Sequence, residues 1–400
     1  MTSVPAEVAW FDVSDPAFSV RSAQVRAARE LNWYARTNYG LAVLRYDQAG
    51  RLLKHPQLRQ GSAAWPAHHG ITNGPFARWF ASWILNQEGE QHHRLRRLLN
   101  PAFGARALGT LAPYFDALAD ELIGSFAADG QCEFMARFAE PYAARVVATL
   151  LGFPEHEWPA IAQDSATVGL AMGVTLGQDL PRIETALARL FEYCDAALEA
   201  RRRRPTDDFT SRLVQVQLAD GDRLSEQELR DAMVLLVFGG FDTTRNQLSL
   251  AVRTFLDHPD QWQLLARRPD LGRAAVEEVM RVNPTITWVT REALEDFEFD
   301  GLLIRRGTTL HLFAESAGTD PRTFADPAFD ITATGRTAHL GFGGGAHHCI
   351  GHFLARSDMG VALPKLAAAM PDLRYASEAT WLPDSGNTGA VRLPLAWTVR

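Results

Sequence analysis

Residues 342–351 read Phe-Gly-Gly-Gly-Ala-His-His-Cys-Ile-Gly, so a run of three glycines leads to Cys349 near the start of a predicted helix. Glycine permits positive φ angles and lets the backbone approach a flat ligand closely. Amide groups near a helix N-terminus stabilise negative charge on sulfur and favour the thiolate, the form that ligates metals. The stretch therefore predicts that Cys349 is a metal ligand beside a planar cofactor.

The stretch resembles the haem-binding signature of the cytochrome P450 family, Phe-x-x-Gly-x-(His or Arg)-x-Cys-x-Gly. The resemblance implies haem b (iron protoporphyrin IX) with Cys349 as the axial ligand of the iron. Thiolate ligation pushes electron density towards the iron and favours cleavage of the O–O bond. The matching positions are Phe342, Gly345, His347, Cys349 and Gly351. The implied cofactor contacts in this loop are Phe342, Gly343, His347 and Gly351.

Two other interpretations apply to the same residues. His347, His348, Cys349 and His352 are all competent zinc ligands. A zinc site is disfavoured because adjacent residues do not easily converge on one tetrahedral ion, and structural zinc sites normally draw on two separated ligand pairs. An ordinary core cysteine is the second interpretation, and it does not explain the three glycines.

A second motif, Gly-Gly-Phe-Asp-Thr-Thr at 239–244, lies in an apolar helix predicted over 226–257. Each glycine in a helix interior costs about 1 kcal/mol relative to alanine, so the pair indicates a local opening with a function. By resemblance to the family, Asp242 and Thr243 are catalytic and assist dioxygen activation, with Asp242 relaying protons. The structural alternative is that Asp242 only forms an ion pair with Arg245 on the same helix.

A third motif, Glu278-Val279-Met280-Arg281, matches a structural Glu-x-x-Arg pair of the same family. The resemblance implies that Glu278 and Arg281 are buried and support the haem side of the fold. Family members often have an arginine directly after a Phe-Asp-x-x stretch, where this chain has Ala333. Arg336 is the candidate replacement.

Basic residues elsewhere match the partners that a buried haem needs for its two propionates. His92 and Arg96 are one helical turn apart, as in a His-x-x-x-Arg pattern of the family. Arg291 and His339 also fall where the family has propionate contacts. Each of these residues alone is more often a surface charge or a satisfied histidine.

Apolar periodicity predicts a mainly α fold with a minor β portion. The resemblance implies that this is a cytochrome P450 fold, with the haem between the central helix and the cysteine loop. A single domain is expected over 1–400. The predicted helices are 107–128, 136–151, 181–203, 226–257, 270–282 and 350–369. The predicted strands are 41–46, 297–304, 308–313 and 393–399.

Charge and cysteine usage narrow the environment. The net charge of −7 disfavours a nucleic-acid partner, because no basic excess exists to neutralise phosphates. Three dispersed cysteines fit a reducing compartment. The first 18 residues lack the pattern of a signal peptide, and no long apolar run predicts a membrane span. We therefore expect a cytoplasmic protein without a membrane partner.

The resemblance implies a monooxygenase that inserts one atom of dioxygen into a small, largely apolar molecule in secondary metabolism or catabolism. Electrons would come from NAD(P)H through a ferredoxin or flavodoxin and its reductase, with Arg94 and Arg97 as candidate docking residues. Peroxide-driven or coupling chemistry is one alternative, and a non-enzymatic haem sensor is another. The predicted substrate contacts are Trp83, Phe238, Gly239, Ile286, Thr287 and Trp288.

Overall fold

The computed structural model describes residues 8–104, 109, 111–219 and 223–399. The prediction that the first 18 residues are not a signal peptide falls partly outside the described residues, because residues 1–7 are not among them. Positions 107, 108 and 110 of the helix predicted over 107–128 lie outside them as well.

Helices form most of the described chain. The predicted helix 226–257 is confirmed with the same bounds, and the helices predicted at 270–282 and 350–369 begin two residues later than expected. The α-helices are α1 (Ala23–Leu31), α2 (Tyr46–Leu52), α3 (Trp65–His68), α4 (Pro75–Ser82), α5 (Gly89–Phe103), α6 (Ala112–Gly124), α7 (Glu140–Leu151), α8 (Trp158–Gly169), α9 (Leu176–Arg203), α10 (Phe209–Ala219), α11 (Glu226–Asp257), α12 (Pro259–Arg267), α13 (Gly272–Val282), α14 (Ala314–Gly318) and α15 (His352–Ala369).

The strands form a minor part beside the helices. A six-stranded sheet has the order β1-β2-β3-β9-β6-β4, and β3 pairs in parallel with β9. The strands are β1 (Trp10–Phe11), β2 (Tyr34–Thr37), β3 (Gly40–Val43), β4 (Leu58–Gln60), β5 (Gln131–Glu133), β6 (Trp288–Ala293), β7 (Phe297–Phe299), β8 (Leu302–Ile304), β9 (Thr309–Phe313), β10 (Arg374–Tyr375), β11 (Thr380–Trp381), β12 (Ala390–Arg392) and β13 (Pro394–Ala396). The strand predicted over 297–304 is a hairpin of β7 and β8.

Helix α11 crosses the core because its middle is apolar. Local signals in the sequence fix both of its ends. At the N-terminus, the Ser225 side chain accepts a hydrogen bond from the Glu228 amide, and the Glu228 side chain accepts one from the Ser225 amide at 2.9 Å. Such a reciprocal cap stabilises a helix start by about 1 kcal/mol. The helix ends at Asp257, two residues before Pro259, and most of its second half is buried.

Glu278 and Arg281 of α13 form a buried ion pair, as predicted. The Arg281 guanidinium donates to the Glu278 carboxylate at 2.6 and 2.9 Å and also to the carbonyl of Gly318. Arg336 lies 3.4 Å from the same carboxylate, so it takes the place that Ala333 cannot fill. A buried ion pair is stable when its remaining hydrogen-bonding groups are also satisfied, which these contacts provide.

Two local features mark the helices around this pair. Asp270 does not cap α13: Leu271 stands at that position, and the Asp270 carboxylate accepts hydrogen bonds from Arg268. Pro364 lies inside α15 without ending it, and a Cβ on Gly272 would come within 2.8 Å of the Pro364 ring. Helices α13 and α15 therefore cross at close range where a glycine meets a proline.

No helix in the described part of the chain is long and apolar enough to cross a membrane.

Candidate active site

A cavity of about 370 Å³ lies between α11, the cysteine loop (residues 342–351) and one face of the six-stranded sheet. Cys349 lines one wall, and Gly239 and Thr243 of α11 line another. A Cβ on Gly239 would meet no atom within 4 Å, so this glycine faces open space. The two motifs singled out in the sequence therefore meet at one cavity.

The cysteine loop holds its sulfur through the backbone. Gly343 and Gly345 have φ angles of 66° and 71°, which glycine adopts without strain. The Cys349 amide donates to the Phe342 carbonyl at 3.0 Å and closes the loop. Burial raises the pKa of the Cys349 thiol, whereas a hydrogen bond from the Gly351 amide and the charge of Arg96 act to lower it. The hydrogen bond and the charge favour the thiolate once a bound cation offsets the cost of burying the negative sulfur.

Basic side chains surround the loop on the cavity side. Arg96 lines the cavity and donates to the His348 carbonyl at 2.9 Å. The rings of His92 and His347 are 4.2 Å apart, and both histidines line the cavity. Burial, followed by the charges of His347 and Arg96, lowers the pKa of His92 to about 4. The buried Nδ1 of His347 has no hydrogen-bond partner among the described residues. This cluster fits an anionic group in the cavity.

Two of the predicted propionate partners do not line the cavity. Arg291 lies next to the cysteine loop, where its guanidinium donates to the carbonyls of Leu53 and Gly344. His339 does not line the cavity either, and its ring is directed towards groups of the protein. Its Nε2 is 3.1 Å from a carboxylate oxygen of Glu277, and its Nδ1 accepts the Gly341 amide at 3.1 Å. Both ring nitrogens are thus engaged within the protein.

Asp242 and Thr243 face in different directions from α11. The Thr243 hydroxyl lines the cavity and donates to the Gly239 carbonyl at 2.8 Å. Asp242 is buried behind the cavity wall, where Arg245 donates to its carboxylate at 3.2 Å and Asn387 donates as well. The predicted Asp242–Arg245 pair is therefore present. Burial raises the pKa of Asp242 despite the opposing effect of Arg245.

The predicted substrate contacts divide into two groups. Gly239, Ile286 and Trp288 line the cavity. The other three, Trp83, Phe238 and Thr287, do not line it, contrary to the prediction. Trp83 and Phe238 pack against each other, with ring centroids 5.7 Å apart, in the core beside the cavity. Thr287 is fully buried, and its hydroxyl donates to the Gly386 carbonyl at 3.1 Å.

Several cavity residues carry no motif and are not predicted from the sequence. Ser62, His68, Met172, Thr290 and His311 all line the cavity. A signal for His311 was present, because alternation in Thr309-Leu310-His311-Leu312-Phe313 assigns Thr309 and His311 to the same face of a strand.

Among the proposed docking arginines, Arg97 is exposed and Arg94 is occupied. The Arg94 guanidinium donates to the Arg223 carbonyl at 2.6 Å and forms an ion pair with Glu228. Arg94 therefore links α5 to the start of α11, and its proposed docking role is not supported.

Comparisons with known proteins agree with this geometry. The family model described as "Cytochrome P450" matches residues 168–367. Luteothin monooxygenase of Streptomyces thioluteus is 36% identical over 393 residues, which cover 98% of this chain and 96% of that protein. Nocardicin C N-oxygenase of Nocardia uniformis subsp. tsuyamanensis is 34% identical over 323 residues, 79% of this chain and 80% of that protein.

Among solved structures, CalO2 superimposes with a TM-score of 0.85 at 30% identity and covers 96% of this chain and all of its own. The haem of this family also fits the cavity, since a cysteine sulfur lies in one wall and basic groups with an unpartnered nitrogen lie nearby. Because the similarity in sequence and fold extends over nearly the full length, the chain belongs to the cytochrome P450 family of haem-dependent monooxygenases.

Proposed function

We propose that Cys349 binds the iron of haem b and that Arg96, His92 and His347 bind its propionates, with Arg291 supporting the loop. The observation that carries this proposal is the position of Cys349 and Thr243 in walls of the same cavity. When bound, the haem supplies the activation of dioxygen and the insertion of one oxygen atom into the substrate. Phe342, Gly343 and Gly351 fix the backbone around the sulfur.

Thr243 and Asp242 are proposed to deliver protons to the cavity. The Thr243 hydroxyl is on the cavity wall, and Asp242 lies next to it in sequence with a raised pKa. A carboxyl group whose pKa lies closer to neutrality exchanges protons more readily near physiological pH than an ordinary aspartate. Asn387 and Arg245 hold the carboxylate, so a change of these partners would accompany each proton transfer.

The proposed substrate is a small, largely apolar organic molecule. Most of the cavity wall is apolar, with Phe80, Leu235 and Ile286 among its side chains. The names of related proteins refer to luteothin, nocardicin C, mycinamicin IV and steroids. These names support a role in secondary metabolism or catabolism and leave the individual substrate open.

Electrons are proposed to come from NAD(P)H through a separate ferredoxin or flavodoxin and its reductase. An acidic carrier would suit a basic docking surface, for which Arg97 is the remaining candidate of the original pair. We place the reaction in the cytoplasm, as the dispersed cysteines suggest.

The test is the carbon monoxide spectrum of the reduced protein together with oxygen consumption. We expect the absorption band typical of a thiolate-bound haem in the parent protein and its loss in Cys349→Ala. Cys132→Ser is the matched control, because Cys132 is buried at the β5–β13 pairing and lies outside the cavity. An unchanged spectrum in Cys349→Ala, or purification without bound porphyrin, would refute the proposal.

A further inference from the structure

The sheet presents a polar group to the cavity that the mechanism above does not use. His311 is in the middle of β9, opposite Thr290 of β6 in the backbone register. Residues opposite each other in a sheet share a face, and residues two apart on one strand share it too. Thr290, Thr309 and His311 all line the cavity, in agreement with this rule.

In the part of the chain that the structure describes, no polar group pairs with the His311 side chain. Its residue exposure is 1%, and neither ring nitrogen has a hydrogen-bond partner among the described residues. Its neighbours are aromatic: the Trp288 ring lies 5.2 Å away edge-on and the Tyr39 ring 6.3 Å away. A buried polar group without a partner costs about 1–3 kcal/mol, so a ligand in the cavity that pairs with the ring would recover that cost.

The chemistry of the ring limits what it can bind. Burial and, to a smaller extent, the charge of His68 lower the pKa of His311 to about 3. The imidazole is therefore neutral at physiological pH, with one N–H donor and one acceptor nitrogen. A neutral ring in an apolar setting suits an uncharged oxygen, whereas a carboxylate would be left without a counter-charge there.

We propose that His311 is the residue that positions the substrate, by a hydrogen bond to an uncharged oxygen, a ketone or hydroxyl, of an otherwise apolar molecule. The inference rests on the proposed function, because it assigns the specificity of the same cavity. The sheet wall carries His311, and α11 and the cysteine loop form other walls. A substrate anchored at His311 would present a defined part of its apolar body to Thr243 and the cofactor.

The experiment measures binding by the spin-state change of the holoenzyme with two matched pairs of probes. The pairs are decalone with decalin and phenylcyclohexanone with phenylcyclohexane. In His311→Leu we expect the Kd for the ketones to rise about tenfold, the loss of one hydrogen bond, while the Kd for the hydrocarbons stays within about twofold. Phenylcyclohexanecarboxylate should bind poorly to both proteins.

A second measurement, the Tm of the holoenzyme, needs no ligand. Because His311→Leu removes buried polar atoms that have no partner, we expect its holoenzyme to have a Tm equal to or above that of the parent. His311→Phe serves the same purpose with a ring retained. The control is His55→Phe, since His55 stacks on Phe297 at 4.5 Å and is outside the cavity lining. This control should leave both Kd ratios unchanged.

The outcomes separate the two levels of the proposal. If no ketone binds more tightly to the parent than to His311→Leu, or if Tm falls by several degrees, the role of His311 is overturned. An intact thiolate spectrum in both proteins would then leave the proposed function standing. Loss of that spectrum in the parent would refute the proposed function itself.

Discussion

Asp242 and Thr243 are neighbours in sequence with opposite surroundings, and this contrast defines their proposed roles. The hydroxyl of Thr243 is in the cavity wall, and the carboxylate of Asp242 is buried behind it. Gly169 of α8 lies so close that a Cβ there would come within 2.5 Å of the Asp242 carboxylate. The Asp242 carboxylate is therefore closely packed. It can change position only by exchanging its hydrogen-bond partners.

Replacing Asp242 by asparagine should slow turnover and leave cofactor binding intact. The amide retains the shape of the side chain and cannot transfer a proton, so we expect kcat to fall by about 10²-fold with a larger solvent isotope effect. The measurement is substrate-dependent oxygen consumption in H₂O and D₂O. Asp231→Asn is the control, because Asp231 is also buried on α11 but lies outside this cavity. An unchanged kcat in Asp242→Asn would contradict the relay.

In helix α11, the two neighbouring glycines are required for different structural reasons. Gly239 faces the open cavity, whereas a Cβ on Gly240 would meet Cγ2 of Val147 at 2.8 Å. Gly240 thus permits the close packing of α7 on α11, and both glycines line the cavity. The motif predicts one functional opening for the pair, because a motif does not reveal which helix face each residue occupies.

This distinction predicts opposite effects on stability. Gly240→Ala should lower the free energy of unfolding by about 1–3 kcal/mol, because Val147 must move. Gly239→Ala should raise it by up to about 1 kcal/mol through helix propensity, and its methyl group should weaken substrate binding. Urea unfolding of the two holoenzymes checks the signs. Equal effects of both substitutions would show that the close contact with Val147 is not significant.

At the scale of the whole molecule, Glu277 connects α13 to both sides of the cysteine loop. Its carboxylate is 3.1 Å from His339, which precedes the loop, and forms an ion pair with Arg356 of α15, which follows it. Burial acts to raise the pKa of Glu277, but hydrogen bonds from His339 and Arg356 outweigh it and lower the pKa to about 2. This contact with Glu277 explains why the His339 ring is not directed into the cavity.

The lowered pKa gives a pH dependence with a definite sign. A carboxyl group with a depressed folded pKa stabilises the protein above its unfolded pKa, and that contribution is lost as the pH falls through the folded value. Glu277→Gln should therefore be less stable than the parent at neutral pH, and the difference should shrink as the pH falls from about 4.5, the ordinary pKa of a glutamate, to about 2. Urea unfolding across this range tests it, with the exposed Glu298→Gln as control. A difference independent of pH would contradict the link.

Much of the molecule could be predicted from local signals, and the rest depends on contacts between distant segments. The bounds of α11 follow from Ser225 and Pro259, which act within a few residues. The position of Cys349 at the cavity follows from its glycine loop. By contrast, Trp83 and Thr287 were misassigned because side-chain direction depends on the partner segment, which local sequence does not specify. His311 was missed for the same reason, as its significance appears only where the sheet meets the cavity.

The backbone bond from Cys349 to Phe342 also has a practical consequence. It fixes the sulfur without using the side chain of Ala346, which is exposed at the tip of the loop. Since Cys132 and Cys194 are buried and the half-buried Cys349 is proposed to be coordinated to iron, a cysteine introduced at position 346 would be the accessible thiol of the holoenzyme for chemical coupling. A photosensitiser attached there would sit three residues from the proposed iron ligand, so that light together with a sacrificial electron donor could replace the protein reductant.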